Sequence, residues 1–352
     1  MGKSTVLKKH WKLIINVVTI IVLLGVIYST RHQIVDTLEN LTHVNAYALL
    51  LLIPIELLNY HAQTKLYQRL FKVVGNDLSY KFLYRIALEL NFVNHVFPSG
   101  GVTGISYFGL RLRNGKILSG GRATLIQIMK LGLTLVSFEV LIVFGVIALA
   151  LGNHVNDISI LVAGTLSTLL LVLTILFVYI VGSRSRINNF FGFLTIVLNK
   201  VIQFFRRSDP ETIDIAHAKR VFDDFHNSYQ ELKNNLDQLV APFFYALLAN
   251  FTEVLAIYVV YLAFDQFVNI GGIILAYGVA NFAGLISVLP GGIGIYEALM
   301  TIVLAAVGVS PKISLPITIM YRVVNTLLQI PPGYVLYQFS VNKSKNNDAT
   351  SS

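Results

Sequence analysis

"SVLPGGIGIYEALM", residues 287–300, sets a proline, three glycines and a glutamate inside a long apolar stretch. Proline removes a backbone donor and glycine allows turns closed to other residues, so a helix through 290–294 is interrupted there. In hydrocarbon, an interrupted backbone persists only where protein or a water-filled cavity covers its polar groups. The meaning of the stretch therefore depends on whether the chain lies in a membrane.

Composition answers that. The chain has 352 residues, 55% hydrophobic and 13% charged, against roughly 25% charged in a soluble domain. Several apolar runs exceed the ~18 residues that mark a candidate span. An all-α polytopic membrane protein is expected. No cysteine is present, which excludes disulfides, thiolate zinc sites, lipoprotein anchors and thiol nucleophiles. A formal net charge of +9 would suggest nucleic acid in a soluble protein. In a membrane protein it reads as loop asymmetry and contact with anionic lipid, and nucleic acid is not expected as a partner.

The apolar segments are 13–28, 46–62, 82–108, 123–151, 158–182, 239–264, 267–308 and 314–339. Residues 1–12, "MGKSTVLKKHWK", resemble the basic end of a signal peptide, but "YSTRHQ" follows the apolar run with no small-residue cleavage site. An uncleaved first span is expected, and the likeness of "MGKST" to a myristoylation signal is chance. The long polar interruption, 183–238, begins as an amphipathic stretch, "INNFFGFLTIVLNKVIQFFRR", and continues as mixed acids and bases. It reads as a cytoplasmic helical linker between a first half (1–182) and a second half (239–340), with 341–352 a disordered cytoplasmic tail.

Lysine and arginine set the orientation. Segments 1–12, 63–81 and 98–122 hold four each, 183–238 holds eight and the tail two. The connections 29–45, 152–157, 265–268 and 309–313 hold only Arg31 and Lys312. If 82–97 crossed fully, the basic segment 98–122 would lie outside. If 82–108 instead enters and leaves as a re-entrant hairpin, all five basic segments are cytoplasmic. By the same logic 267–308 is a second hairpin, entering from outside. The expectation is about six full spans, two re-entrant hairpins and both termini in the cytoplasm.

The hairpins resemble each other: "NFVNHVFPSGGVTGISYF" (91–108) and "NFAGLISVLPGGIGIYEA" (281–298) both run Asn-Phe, an apolar stretch, then proline with paired glycines. The spacing differs, since Asn91 lies seven before Pro98 and Asn281 nine before Pro290. Two related elements entering from opposite faces form an inverted repeat of the kind found in secondary transporters.

Freed N–H groups at the starts of half-helices form an anion-binding nest. The candidate substrate-binding backbone is therefore Pro98, Gly100, Gly101 and Gly104 with Pro290, Gly291, Gly292 and Gly294. The bland alternative is a pair of packing kinks. Ionisable groups in membrane segments are Glu56, Arg85, Glu89, Lys130, Glu139, Glu253, Glu297 and Arg322, where an unpaired charge costs at least ~2.5–3.5 kcal/mol. Arg85 and Glu89, at i and i+4, can pair on one helix face. Lys130 and Arg322 lie close enough to segment ends to snorkel. Glu297 follows the break directly and is hardest to dismiss. Arg85, Glu89, Glu253, Glu297 and Arg322 complete the candidate site. His61 and His95 lack metal-ligand spacing and read as polar packing or interface residues. "GLRLRNGKI" (109–117) has five residues between its glycines and Ile where a phosphate loop needs Ser or Thr. No HExxH, GxSxG or nucleotide-binding unit occurs, and no cofactor is expected.

With "SVLPGGIGIYEALM" and "NFVNHVFPSGGVTG" the chain resembles the membrane region of the lysylphosphatidylglycerol synthase/flippase family, which includes the multiple peptide resistance factor of bacteria. The likeness runs from the first span to about 340. Its most specific part is Pro-Gly-Gly-x-Gly-x-x-Glu at Pro290, Gly291, Gly292, Gly294 and Glu297. The resemblance implies a region that moves a lipid between leaflets of the bacterial cytoplasmic membrane, a function tied to antimicrobial peptide resistance. In the full-length enzymes a separate soluble domain makes lysyl-lipid. Because this chain ends in "NKSKNNDATSS", that domain is expected to be absent and the chain not to be an enzyme. A name such as phosphatidylglycerol lysyltransferase would then overstate it. Many relatives carry a Gly-Glu pair followed by Arg in the first hairpin, and "PSGGVTG" has no carboxylate. Membrane lipids are the expected partners, with a second copy of the chain or a separate synthase as further candidates. The rivals are a polyprenyl-phosphate carrier, an intramembrane enzyme using a glutamate as acid/base, and a non-transporting scaffold.

Overall fold

The computed structural model describes residues 44–96, 102–114, 118, 120–152, 157–183, 185–186, 189, 236–286, 292 and 294–350. The described residues are helical, without strands. In chain order the helices are α1 (Ala46–Leu50), α2 (Leu52–Val73), α3 (Tyr80–Val96), α4 (Val102–Asn114), α5 (Gly120–Leu151) and α6 (Asp157–Val181). After a 3₁₀ turn at Leu236–Leu239 come α7 (Val240–Ala263), α8 (Ile270–Ile286), α9 (Ile295–Ala306) and α10 (Pro311–Thr350). Arg122–Leu151, Ile160–Ile180, Asp237–Ala263 and Pro311–Ser340 are long and apolar enough to cross a membrane. On α6, Ile160, Leu161, Leu171, Val172, Ile175 and Val178 are all exposed, a surface suited to lipid rather than water. The first apolar run, 13–28, and nearly all of the linker 183–238 lie outside the described residues.

Two boundaries differ from the expectation. The run 46–62 continues as helix to Val73, because Gln63, Lys65, Gln68 and Arg69 are good helix formers on an amphipathic face. Thr64, Leu66, Tyr67, Leu70 and Phe71 on the same turns are fully buried. The helix α10 runs on to Thr350, so 341–350, read as a disordered tail, continue it. Once a long helix is nucleated, adding residues is cheap. The segments expected as hairpins each contain two helices among the described residues: α3 and α4, then α8 and α9. At 17 and 12 residues, the arms α8 and α9 are both shorter than the ~20 residues of a full crossing. These two arms pack on each other, and α9 packs on α10. Gly272 makes the approach of α8 to the end of α9 possible, since a Cβ there would meet Val307 Cγ2 at 2.7 Å.

The same helix order occurs twice. Helix α3 and helix α8 have equal length and stand 190 residues apart (80 to 270, 96 to 286). Their caps obey the same shift. Ser79 Oγ accepts the Phe82 N–H, and Asn269 Oδ1 accepts the Gly271 N–H. The preceding turns match bond for bond: Asn76 N–H to Phe71 O and Gly75 N–H to Lys72 O, against Gln266 N–H to Tyr261 O and Asp265 N–H to Leu262 O. Even the side-chain amides correspond, Asn76 on Val74 O and Gln266 on Phe264 O. Gly75 and Asp265 both take positive φ, 77° and 54°, closing their helices in the left-handed conformation. At the same shift Asn91-Phe92 meets Asn281-Phe282, and Gly104-Ile105 meets Gly294-Ile295.

The chain divides into two compact units. One comprises Leu57–Ala87 and Ile105–Glu253. Its core stacks Tyr67 on Phe108, 5.3 Å between ring centroids. Its polar interior joins Asn59 Nδ2 to Ala249 O and Thr252 Oγ1, both at 2.9 Å. The other comprises Met1–Glu56, Leu88–Gly104 and Val254–Ser352. It holds the end of α3, the start of α4, and α8 to α10.

Candidate functional site

Helix α9 starts at Gly294, with φ 86°, in a conformation that excludes most L side chains. Three residues on, Glu297 Oε2 accepts the Gly294 N–H at 2.7 Å, the reach-back half of a capping box. The other oxygen, Oε1, lies 2.5 Å from Arg322 Nη1 on α10. Side-chain exposures of 5% for Glu297 and 18% for Arg322 make this a largely desolvated ion pair. The Arg322 guanidinium also lies 4.9 Å from the Tyr296 ring centroid, a cation–π contact. Arg322 therefore does not snorkel to a helix end; its counter-charge holds it on the α9–α10 face.

The end of α3 runs along α10 in the same unit. Glu89 Oε1 accepts from Ser340 Oγ. Asn91 Nδ2 donates to Gln329 Oε1 at 2.9 Å. Phe92 lies against Tyr334 and Tyr337, with centroids 5.5 and 5.3 Å away. Gly333 permits this approach: a Cβ there would sit 2.6 Å from both Leu88 O and Phe92 Cβ. His95 donates from Nδ1 to Asn91 O at 2.9 Å, which leaves Nε2 as the acceptor in the neutral ring, and it lies within electrostatic reach of Arg322.

Of the residues singled out from sequence, Gly294, Glu297 and Arg322 meet directly, and Glu89 joins the same helix α10. Gly292 is buried with φ 66°. Gly104 lies in the first turn of α4, where a Cβ would overlap the Asn94 side chain. Pro98, Gly100, Gly101, Pro290 and Gly291 lie outside the described residues. Arg85, exposed on α3, and Glu253, on α7, belong to the other unit. There Glu253 Oε1 accepts from Asn59 at 3.3 Å. Lys130, in that unit too, does not snorkel: Nζ donates to Tyr67 Oη at 3.1 Å and lies 4.7 Å from the ring centroid. His61 contacts Tyr80 Oη at 2.9 Å, as a packing residue would. Tyr296, Asn91, Gln329 and Ser340 were not foreseen. The only signal for them was polarity inside apolar runs. Among the described residues no group of His, Asp and Glu could hold a metal ion.

Residues 13–333 match the family described as the lysylphosphatidylglycerol synthase TM region. The chain belongs to this family. A UPF0104 membrane protein of Methanocaldococcus jannaschii is similar at 21% identity over 270 residues, 76% of this chain and 76% of the relative. A UPF0104 membrane protein of Methanothermobacter thermautotrophicus is similar at 23% over 125 residues, 36% of this chain and 37% of the relative. Within the lysylphosphatidylglycerol synthase TM-region family, then, this chain carries a desolvated carboxylate–guanidinium pair at the first turn after a helix break.

Proposed function

We propose that this membrane protein moves a lipid head group between leaflets, with α8 and α9 as a re-entrant hairpin and the Glu297–Arg322 pair as the head-group site. One observation carries the reading: two opposite charges are held together, nearly dry, where a helix starts at a break. A pair in that position is a poor source of stability, because the desolvation of both ions offsets most of their attraction. It is well suited to exchange. A head group with both a phosphate and an ammonium, as in aminoacylated phosphatidylglycerol, can replace the internal pair with two external ones. The guanidinium then meets the phosphate in a bidentate manner and the carboxylate meets the amine, and no lone charge is left in hydrocarbon. A purely anionic polyprenyl phosphate would leave Glu297 unpaired, which favours the aminoacyl or zwitterionic class. The family's name supports the lipid as cargo. The protein acts in this reading as a carrier, not an enzyme, in the cell membrane with both termini cytoplasmic.

The test is leaflet exchange in liposomes, with labelled lipids of matched tails and different head groups. Wild-type protein should move cationic and zwitterionic aminoacyl lipids faster than phosphatidylglycerol itself. Equal rates for every head group, unchanged by Glu297→Gln, would refute the assignment.

A further inference from the structure

Beside the ion pair, a set of buried hydroxyl groups has no hydrogen-bond partner. Ser314 Oγ, Thr318 Oγ1, Tyr261 Oη and Thr301 Oγ1 are buried and unbonded. Ser314, Thr318 and Tyr261 are all 0% exposed. Serine and threonine inside a helix ordinarily bond back to the carbonyl one turn before, as Thr64 and Thr134 do here. These do not. Each such orphan is destabilising unless something bonds it.

Their placement is ordered. Ser310, Ser314, Thr318 and Arg322 follow one another at every fourth residue of α10 and its cap, about 18 Å in all at 1.5 Å per residue. Ser310 lies at the exposed α9–α10 turn, where Ser310 O accepts the Ile313 and Ser314 N–H groups ahead of Pro311. Thr318 faces Tyr261 of α7 closely enough to interact, though outside hydrogen-bond geometry. Thr301 stands one turn beyond Glu297 on α9. The stripe thus runs from the exposed turn to Arg322, the partner of Glu297.

We propose that Ser314, Thr318, Tyr261 and Thr301 line a hydrated proton path from the α9–α10 turn to Glu297. The inference rests on the head-group site proposed above and adds its driving force. Hydroxyls one turn apart are ~5–6 Å from each other, a gap that one water with its three or so hydrogen bonds can bridge. A proton enters at Ser310. Each hydroxyl or water donates onward while accepting from behind. The last proton lands on Glu297, so that carboxylate plus proton gives the neutral acid. Arg322 keeps its charge, loses its counter-ion and is released toward a phosphate. Deprotonation through the same path restores the pair. The groups that tune this step are few. Arg322 faces Glu297 from α10, Tyr296 is beside it on α9, Tyr277 is the titratable residue of α8, and His95 of α3 lies within reach of Arg322.

The test uses full-length protein in sealed vesicles of phosphatidylglycerol and phosphatidylethanolamine. Infrared spectroscopy follows the carboxylic acid band that Glu297→Gln removes, after a pH jump on one side. Thr318→Val combined with Ser314→Ala should slow the appearance of that band at least tenfold without changing its final size, and Thr318→Ser should restore the rate. Equal rates in wild type and the Val/Ala variant would overturn the path. Lipid exchange is measured in parallel under imposed pH gradients. A titrating Glu297 band with no exchange of any lipid would overturn the carrier reading and leave the path standing. Exchange that ignores every gradient would do the reverse.

Discussion

The two helix pairs, α3–α4 and α8–α9, share a turn and a first arm and are equipped differently beyond them. Gly104 and Gly294 stand 190 residues apart in matching sequence, but Gly104 is the third residue of α4, whereas Gly294 caps α9 with a positive φ. Three residues after Gly294 comes Glu297; three after Gly104 comes Tyr107. Helix α5 carries Ile-Gln-Ile-Met at 126–129 where α10 carries Ile-Thr-Ile-Met at 317–320. At that alignment Arg322 corresponds to Leu131. The first half thus makes the same turn and first arm with neither member of the ion pair. The difference teaches that charge at these positions is not needed to build the shared turn and first arm. In the second half the pair is an addition to that shared frame, and the proposed role for it is to complement a charged head group.

The largest effect should come from separating the charges. Arg322→Gln leaves Glu297 buried with one partner fewer, and removing one member of a buried pair costs about 3–5 kcal/mol. Its thermal midpoint in detergent should fall well below wild type, while Leu131→Gln at the corresponding site should shift it far less. If both substitutions cost the same, the contrast between halves disappears. Next in size is Gly333→Ala, which drives a methyl group into the α3 backbone at Leu88 and should cost about 1–3 kcal/mol. Gly104→Ala meets only the exposed Asn94 side chain, which can turn away, so its cost should stay below about 1 kcal/mol. Denaturation of the two variants side by side would show the order reversed if Asn94 were locked. Smallest is the turn before each first arm. Asp265→Gly relieves a positive φ and should stabilise by roughly 0.5–1 kcal/mol, whereas Gly75→Ala should destabilise by a similar amount. Opposite signs at matched positions are expected in chemical unfolding; equal signs would mean the turns differ in conformation.

Much of this architecture was legible in the sequence. Long apolar runs, the proline–glycine breaks and the paired Asn-Phe motifs are local patterns, and local patterns survive as helices and turns. The 190-residue shift is hidden in the sequence because the conspicuous Pro98 and Pro290 do not correspond, whereas Asn91 and Asn281 do. The end of α2 was missed because Lys65, Arg69 and Lys72 hide an inward face of Tyr67, Leu70 and Phe71. At the site, Glu297 and Arg322 stood out as ionisable residues in apolar runs. Their union did not, because it joins α9 to α10 across 25 residues. The contacts of Asn91 with Gln329 and of Glu89 with Ser340 span 238 and 251 residues. Periodicity says nothing about such distances, because they depend on which helices pack together.

The central claim is that a head group binds at the second break and not at the first. A phosphatidylglycerol analogue with a photoreactive head group, activated in proteoliposomes and mapped by mass spectrometry, tests it most directly. The account predicts adducts on Gly294–Glu297 and around Arg322, competed away by aminoacyl phosphatidylglycerol and lost in Glu297→Gln. Adducts confined to Gly104–Phe108 and Leu131, with residues 294–297 unlabelled, would contradict it.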